Sequence, residues 1–518
     1  MSTVSFKHIG IALAALAAAA PAQAEWREAT TKHFVIYSED SEKTLRDFAT
    51  RLERFDAAIR HMRSLPDPDV SPSNRLTIFV VPSSAVSKLY GKGGANVGGF
   101  YMGRMEGSYA ITPRIGSGGD SEDHEQLVLL HEYGHHFMFQ TYPGAHPAWL
   151  VEGFAEFHST ARFDRNGSVG LGLPANHRAY GLLTMKPIKI DTLLTAAVGD
   201  LKPEDMDVFY GRGWLLTHYL TLDPARKGQL AAYLRLLNAG KPSLAAAKEA
   251  FGDLATLDKD LNRYLRQSSL IYHKLPPERI SIGPVAIRTL PPGADAVMDV
   301  RIRSKRGVNE EQAKALLPLA RKAAAPFPAD VMAQVTLAEA AYDAGEYAEA
   351  EAAADRALAA DPKSGEAMIY KGRAKMALAE ASDAADAAVW REVRKWFVAA
   401  NKNEPQDPEP LVLFYRSFLA AGAKPTANAA LGLEEAMYLA PQDDGLRWMV
   451  GRQHLIDGKA EDARHALAPL AFDPHGGALA KAAAAVLEQL GSGGAEAALK
   501  AMHRAPEEEP AAEGAAGK

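Results

Sequence analysis

His131 and His135 stand four residues apart, and Glu132 follows the first of them, in the stretch His131-Glu132-Tyr133-Gly134-His135. On a helix this spacing puts both imidazoles on one face, one turn apart. Two readings compete for such a segment. It is either a zinc site able to hydrolyse peptide bonds, with the glutamate beside the metal, or a core helix whose histidines are hydrogen-bonded to backbone. Leu127, Leu130, Gly134, Phe137 and Met138 form an apolar stripe beside the pair, which suits either reading.

A second constellation follows. Tyr142-Pro143-Gly144 breaks the helix, and Pro147 suits the first turn of another. The new helix reads Trp149 to Phe157, with Glu152 and Glu156 on one face of an otherwise apolar run. Carboxylates placed there need a partner, because an unpaired buried charge is costly. A metal ion would serve.

Together these helices resemble the gluzincin zinc metallopeptidases, in which an HExxH helix is followed by a helix carrying a third, glutamate ligand. The aminopeptidase branch of that group writes the second helix as WLxEGxA. Trp149-Leu150-Val151-Glu152-Gly153-Phe154-Ala155 matches it at each specified position, and sixteen residues separate His135 from Glu152. The resemblance spans residues 31–236 and is specific across the two motif helices. It implies that His131, His135 and Glu152 hold one Zn²⁺ per chain, with a fourth position left for water. Glu132 is then the general base, and Glu156 orients a ligand histidine, His131, by hydrogen bond.

The resemblance reaches further residues more loosely. Tyr210-Gly211-Arg212-Gly213 is similar to the YxKG setting of the family's transition-state tyrosine, with arginine for lysine, although Tyr210 also suits a helical core. His218 and His136 rank behind Tyr210 as donors, and His124 reads as solvated. In zincins an extended substrate pairs with an edge strand just before the motif helix. Ser108, Tyr109, Ala110 and Ile111 hold that place here. Aminopeptidases grip a free N-terminus with GxMEN, whereas Met105-Glu106-Gly107 lacks the asparagine, so an exopeptidase is not implied.

The surrounding elements have to position these groups. His33–Ser38 and Arg75–Val81 are β-branched and aromatic runs, hence strands, and Glu42–Met62 carries apolar residues at helical spacing. Further strands are expected around Phe100 and over Ser108–Thr112. Asp120 or Ser121 is expected to cap the motif helix, ahead of Glu122, Asp123 and Glu125. The fold class is an α+β zincin-like metallopeptidase domain over 25–279, followed by an all-α tetratricopeptide-type solenoid over 307–505. Residues 280–306 read as a two-stranded connector around Pro291-Pro292-Gly293. Residues 331–364 fit one tetratricopeptide repeat, with Gly345 at the turn. Pro362, Pro405, Pro441 and Pro474 recur at intervals of 43, 36 and 33, which places an insertion near Ser382–Ala388. The tail 506–518 cannot build a core and is expected to be disordered.

Composition bounds the function. Met1–Ala24 follows signal-peptide grammar: Lys7 and His8, then an apolar run from Ile9 to Ala20, then Ala22-Gln23-Ala24. That run is too short to cross a bilayer, which needs about 20 residues. An exported, periplasmic bacterial protein is expected. There is no cysteine among 518 residues, so neither disulfides nor a lipoprotein anchor are available. A net charge of −6 without a basic stripe argues against nucleic acid as a partner. Two functions fit. One is a zinc peptidase whose helical repeats dock a protein partner or substrate. The other is a repeat-based binding scaffold with a degenerate, non-catalytic zincin domain.

Overall fold

The computed structural model describes residues 25–91, 97–115, 124–382, 386–473 and 477–503. The expected leader, the expected cap at Asp120 or Ser121, the last recurring proline (Pro474) and the expected disordered tail lie outside these residues.

The N-terminal half begins β1 (Arg27–Thr30), β2 (Phe34–Ser38), α1 (Glu42–Arg63), β3 (Leu76–Val81), α2 (Ser83–Tyr90), β4 (Phe100–Met102), β5 (Tyr109–Pro113), α3 (His124–Thr141) and α4 (Ala148–Ser159). It continues with β6 (Arg162–Phe163), β7 (Val169–Leu171), α5 (Ala179–Leu183), α6 (Ile190–Thr195), α7 (Pro203–Leu222), α8 (Gln229–Asn238), α9 (Ser243–Phe251) and α10 (Leu254–Leu265). The last elements are β8 (His273–Leu275), β9 (Ala286–Thr289) and α11 (Pro292–Arg306).

Six strands form one mixed sheet in the order β4-β5-β3-β2-β1-β9, and β6-β7-β8 form a small antiparallel one. Strand alternation sends side chains to two faces of the large sheet. Phe34, Ile36, Ile78 and Val80 pack with Leu45, Leu52 and Phe55 of α1 and with Leu130, Tyr133 and Phe137 of α3. Tyr37, Phe79, Val81, Tyr109 and Ile111 pack on the other side with Val86 of α2 and Met298 and Ile302 of α11. The motif helix α3 therefore rests on a sheet face whose residues were legible as strands.

Two expectations fail here. β5 was expected to be the free edge, yet it is paired on both sides, parallel to β3 and antiparallel to β4. Met102 sits opposite Tyr109, so β4 and β5 form a hairpin whose first strand lies outermost. Ser108, Tyr109, Ala110 and Ile111 are accordingly buried and enclosed. The two-stranded connector is also absent. β9 returns to the large sheet beside β1, and Pro291-Pro292 starts a helix instead of turning a hairpin. Proline is well suited to a first helical position, where its missing N–H is no loss.

The C-terminal half is an array of helical hairpins. It comprises α12 (Glu310–Ala324), α13 (Val331–Asp343), α14 (Tyr347–Ala360), α15 (Gly365–Glu380), α16 (Ala387–Asn403), α17 (Pro408–Ala420), α18 (Ala427–Leu439), α19 (Asp444–Ile456), α20 (Ala460–Ala471) and α21 (Gly477–Met502), which is broken in two at Gly494. Successive helices pack together, and α13 also packs on α15, and α15 on α17. Buried alanines such as Ala338, Ala350, Ala354, Ala357 and Ala374 let the backbones approach closely. The expected insertion is spread out. α15 has 16 residues against 13 in α13, and α16 has 17 against 14 in α14. Six residues, 381–386, separate α15 from α16, against three, 344–346, between α13 and α14, and 383–385 lie outside the described residues.

Helix α11 joins the halves through two stripes. Ala294, Met298 and Ile302 belong to the sheet's core, whereas Val297 and Val300 pack with Leu316, Ala320 and Val335 of the array. Among the described residues no helix is long and apolar enough to cross a membrane.

Candidate metal centre

Three helices meet at the motif residues, and the glycines of the motifs are the reason they can. A Cβ on Gly134 of α3 would lie 2.9 Å from Ala155 Cα of α4. One on Gly153 of α4 would lie 2.3 Å from the Gly213 carbonyl oxygen of α7, and one on Gly213 would lie 2.8 Å from the Trp149 oxygen. Glycine inside a helix costs about 1 kcal/mol relative to alanine. Close approach of the backbones is what it provides here. The apolar residues between them, Leu130, Phe137, Trp149, Leu150, Phe154, Phe209 and Trp214, share one core.

That packing brings His131, His135 and Glu152 together, with one ligand atom from each within 4.8 Å of the others. His131 Nε2 and His135 Nε2 are 3.0 Å apart. Glu152 Oε2 is 3.4 Å from the first and 3.6 Å from the second. Tetrahedral zinc with ligands at about 2.0–2.1 Å sets its donors about 3.3–3.4 Å apart. Two imidazoles and one carboxylate are also the donor set of catalytic zinc sites, so the residues fit that ion. A second trio, His33, Asp56 and Asp67, is equally close. Its carboxylates are already matched by cations, Arg60 Nε at 2.6 Å from Asp56 and Lys32 Nζ at 2.8 Å from Asp67.

Glu132 is 5% exposed, next to the trio. Burial pushes its carboxyl up to about 7, with His131 opposing the shift and Glu152 adding to it. Burial works to lower the His131 pKa, but hydrogen bonds to Glu152 and Glu156 outweigh it and raise the value to about 10. Glu156 Oε1 lies 3.4 Å from His131 Nδ1, on the side away from Glu152. It is not a surface acid, being 1% exposed.

Two residues that the sequence did not single out secure Glu156. Arg178 Nη2 donates to Oε1 at 2.6 Å, and His177 Nε2 lies 2.7 Å from Oε2. Burial opposes ionisation of Glu156, yet the charge of Arg178 and the histidine hydrogen bonds hold it well below the usual carboxylate range. Arg178 also donates to Asp207 at 3.2 Å and lies 4.9 Å above the Tyr210 ring. Asn176-His177-Arg178 carries no periodic or spacing signal, so nothing local could have revealed it.

Tyr210 is 3% exposed, and its ring is 6.2 Å from that of His131. Burial, with the charge of Glu152, drives its pKa upward, so the phenol keeps its proton. The lower-ranked histidines lie elsewhere. His218 is engaged at both nitrogens, by the Gly172 carbonyl at 3.0 Å and the Tyr264 hydroxyl at 2.9 Å. His136 Nδ1 meets the Tyr101 hydroxyl at 2.9 Å, toward the sheet. His124 is exposed.

No family model matches the chain, and no curated protein sequence matches it. Among solved structures it is similar to a thermophilic TPR protein of Thermus thermophilus, at 18% identity over 34% of this chain and 90% of that one, with a TM-score of 0.29. It is also similar to the MamA RS-1 ArsTM double mutant, at 16% identity over 35% of this chain and 95% of that one, with a TM-score of 0.26.

Proposed function

We propose that this chain is an exported zinc-dependent peptidase, hydrolysing peptide or protein substrates, with the helical array offering a surface to a protein partner or substrate. The observation that carries this reading is the convergence of His131, His135 and Glu152, donated by two helices, beside a buried Glu132. The three would hold Zn²⁺. When bound, zinc supplies Lewis acidity, polarising a carbonyl and letting water ionise near pH 7.

The chain's own groups account for the rest. Glu132, buried beside the three ligand residues, can accept the proton of attacking water and return it to the leaving amine. Tyr210, held protonated, can donate to the oxygen that becomes negative in the tetrahedral intermediate. Glu156, fixed by Arg178 and His177, holds the tautomer and orientation of His131. With β5 enclosed, an extended peptide would have to pair with β4, the outer strand of the hairpin, whose Phe100, Tyr101 and Met102 are themselves buried. The leader-like residues 1–24 would direct the protein to the periplasm.

Metal analysis and a peptide-library cleavage screen test the reading together. Purified protein should hold about one zinc, and His135→Ala should lose most of it. Glu132→Gln should keep the zinc and lose turnover. Equal zinc in wild type and His135→Ala removes the assignment. Full zinc with no cleavage by wild type leaves the binding-scaffold reading.

A further inference from the structure

The tip of the β4–β5 hairpin does not end in solvent. Met105 is 5% exposed and belongs to the array's own core, with Val412, Tyr415, Leu433, Met437 and Leu446. Its backbone N–H donates to Asp443 Oδ2 at 2.8 Å, across 338 positions of sequence. Glu106 pairs with Arg373 of α15 at 3.0 Å, and Arg373 pairs in turn with Glu409 of α17 at 2.6 Å. Gln442 Nε2 donates to Ser108 Oγ at 3.1 Å, and that oxygen is 3.2 Å from the Tyr101 hydroxyl, the group that meets His136. A Cβ on Gly103 would lie 2.8 Å from Gln442 Cγ, so the two segments are in close contact.

The same turn of the array reaches the loop between the two motif helices. Arg447 is 3% exposed, donates to the Pro441 carbonyl at 2.6 Å, and donates to the Pro143 carbonyl at 3.1 Å. Pro143 lies between α3 and α4, the helices that carry all three candidate ligand residues.

We propose that Gln442, Asp443 and Arg447 form a clasp by which the helical array positions the β4–β5 hairpin and the α3–α4 loop. The array is then part of the catalytic unit and not an appended docking module. Anything that binds the array and shifts its α18–α19 turn acts on β4. The kinetic part of this inference rests on the peptidase reading, whereas the structural part does not.

Asp443 supplies a selective test because its two oxygens do different work. Oδ1 accepts from the Leu446 N–H at 2.7 Å, capping α19, while Oδ2 accepts from Met105. Asparagine caps helices as well as aspartate does, but it offers only one acceptor. In Asp443→Asn the cap or the hairpin bond must be given up, and in Gln442→Ala the Ser108 contact is lost with the cap untouched. Hydrogen exchange of the full-length protein is the readout. Both variants should keep wild-type helicity and zinc content, while amides of residues 100–109 exchange about tenfold faster or more. With a cleaved peptide, KM should rise severalfold and kcat should hold, since β4 and not the metal centre is loosened. Unchanged exchange over 100–109 in both variants overturns the clasp. Faster exchange with unchanged KM overturns its positioning role. A wild type that cleaves nothing removes the peptidase reading, and exchange alone then decides the clasp.

Discussion

Replacing Gly153 by alanine tests the packing that brings the candidate metal ligands together. The added Cβ would meet the Gly213 carbonyl oxygen at 2.3 Å and Thr217 Oγ1 at 2.5 Å. Carbon and oxygen sit comfortably at about 3.3 Å or more, so α4 and α7 must part by about 1 Å. Neither neighbour is the free end of a flexible chain: one is backbone and the other a short side chain 0% exposed. Overpacking of this kind costs about 1–3 kcal/mol, and alanine recovers about 1 kcal/mol of helix propensity. The net loss is therefore about 0–2 kcal/mol, and the variant should fold. Ligand geometry is less forgiving, because a functional constellation must be held within about 0.5 Å. Glu152 is the adjacent residue and moves with α4. Zinc affinity should fall by about tenfold to a hundredfold, measured by competition with a chromophoric chelator. Gly491→Ala on α21, where a Cβ meets nothing within 4 Å, is the control and should be neutral or slightly stabilising. Wild-type zinc affinity and wild-type stability in Gly153→Ala would refute the close crossing of α4 and α7.

Tyr210→Phe should keep zinc and thermal stability and lose about a hundredfold in kcat with little change in KM, because a donor used only in the transition state is removed. Unchanged turnover would make Tyr210 a packing residue. Arg178→Met leaves the buried carboxylate of Glu156 without its guanidinium partner and should cost about 3 kcal/mol in urea unfolding; an unaltered midpoint would show that His177 and His131 suffice. A third prediction concerns pH. Burial lowers the His33 pKa, but the hydrogen bond to Glu53 and the charges of Asp56 and Glu53 reverse this and raise it above 6.5. A raised histidine pKa adds stability that is complete below its unfolded value and is lost as pH rises through the folded one. The stability difference between wild type and His33→Gln should therefore shrink from about pH 6.5 upward. A difference independent of pH across that range would contradict the ion pairing.

The residues of the candidate centre were legible where their signal is local. His131, Glu132 and His135 fall within one and a half helical turns, and Glu152 and Glu156 are one turn apart, so helical periodicity alone puts them on shared faces. The strands beneath α3 were also readable locally, since a β-branched and aromatic run needs only five or six residues, as was the α13–α14 hairpin with Gly345 at its turn. Other features were decided by contacts between distant parts of the chain. Whether β4 or β5 lies at the sheet edge depends on which strand β3 accepts, and both are short apolar runs. Pro291-Pro292 is compatible with a turn or a helix start until α11 finds apolar partners on both of its sides. His177 and Arg178 reach Glu156 only because α5 packs on α7, and a charged pair leaves no periodic trace in sequence. Asp443 and Met105 are linked by one hydrogen bond across 338 positions. Periodicity records which side of an element is apolar, but what that side meets is settled by shape and packing among all the elements at once.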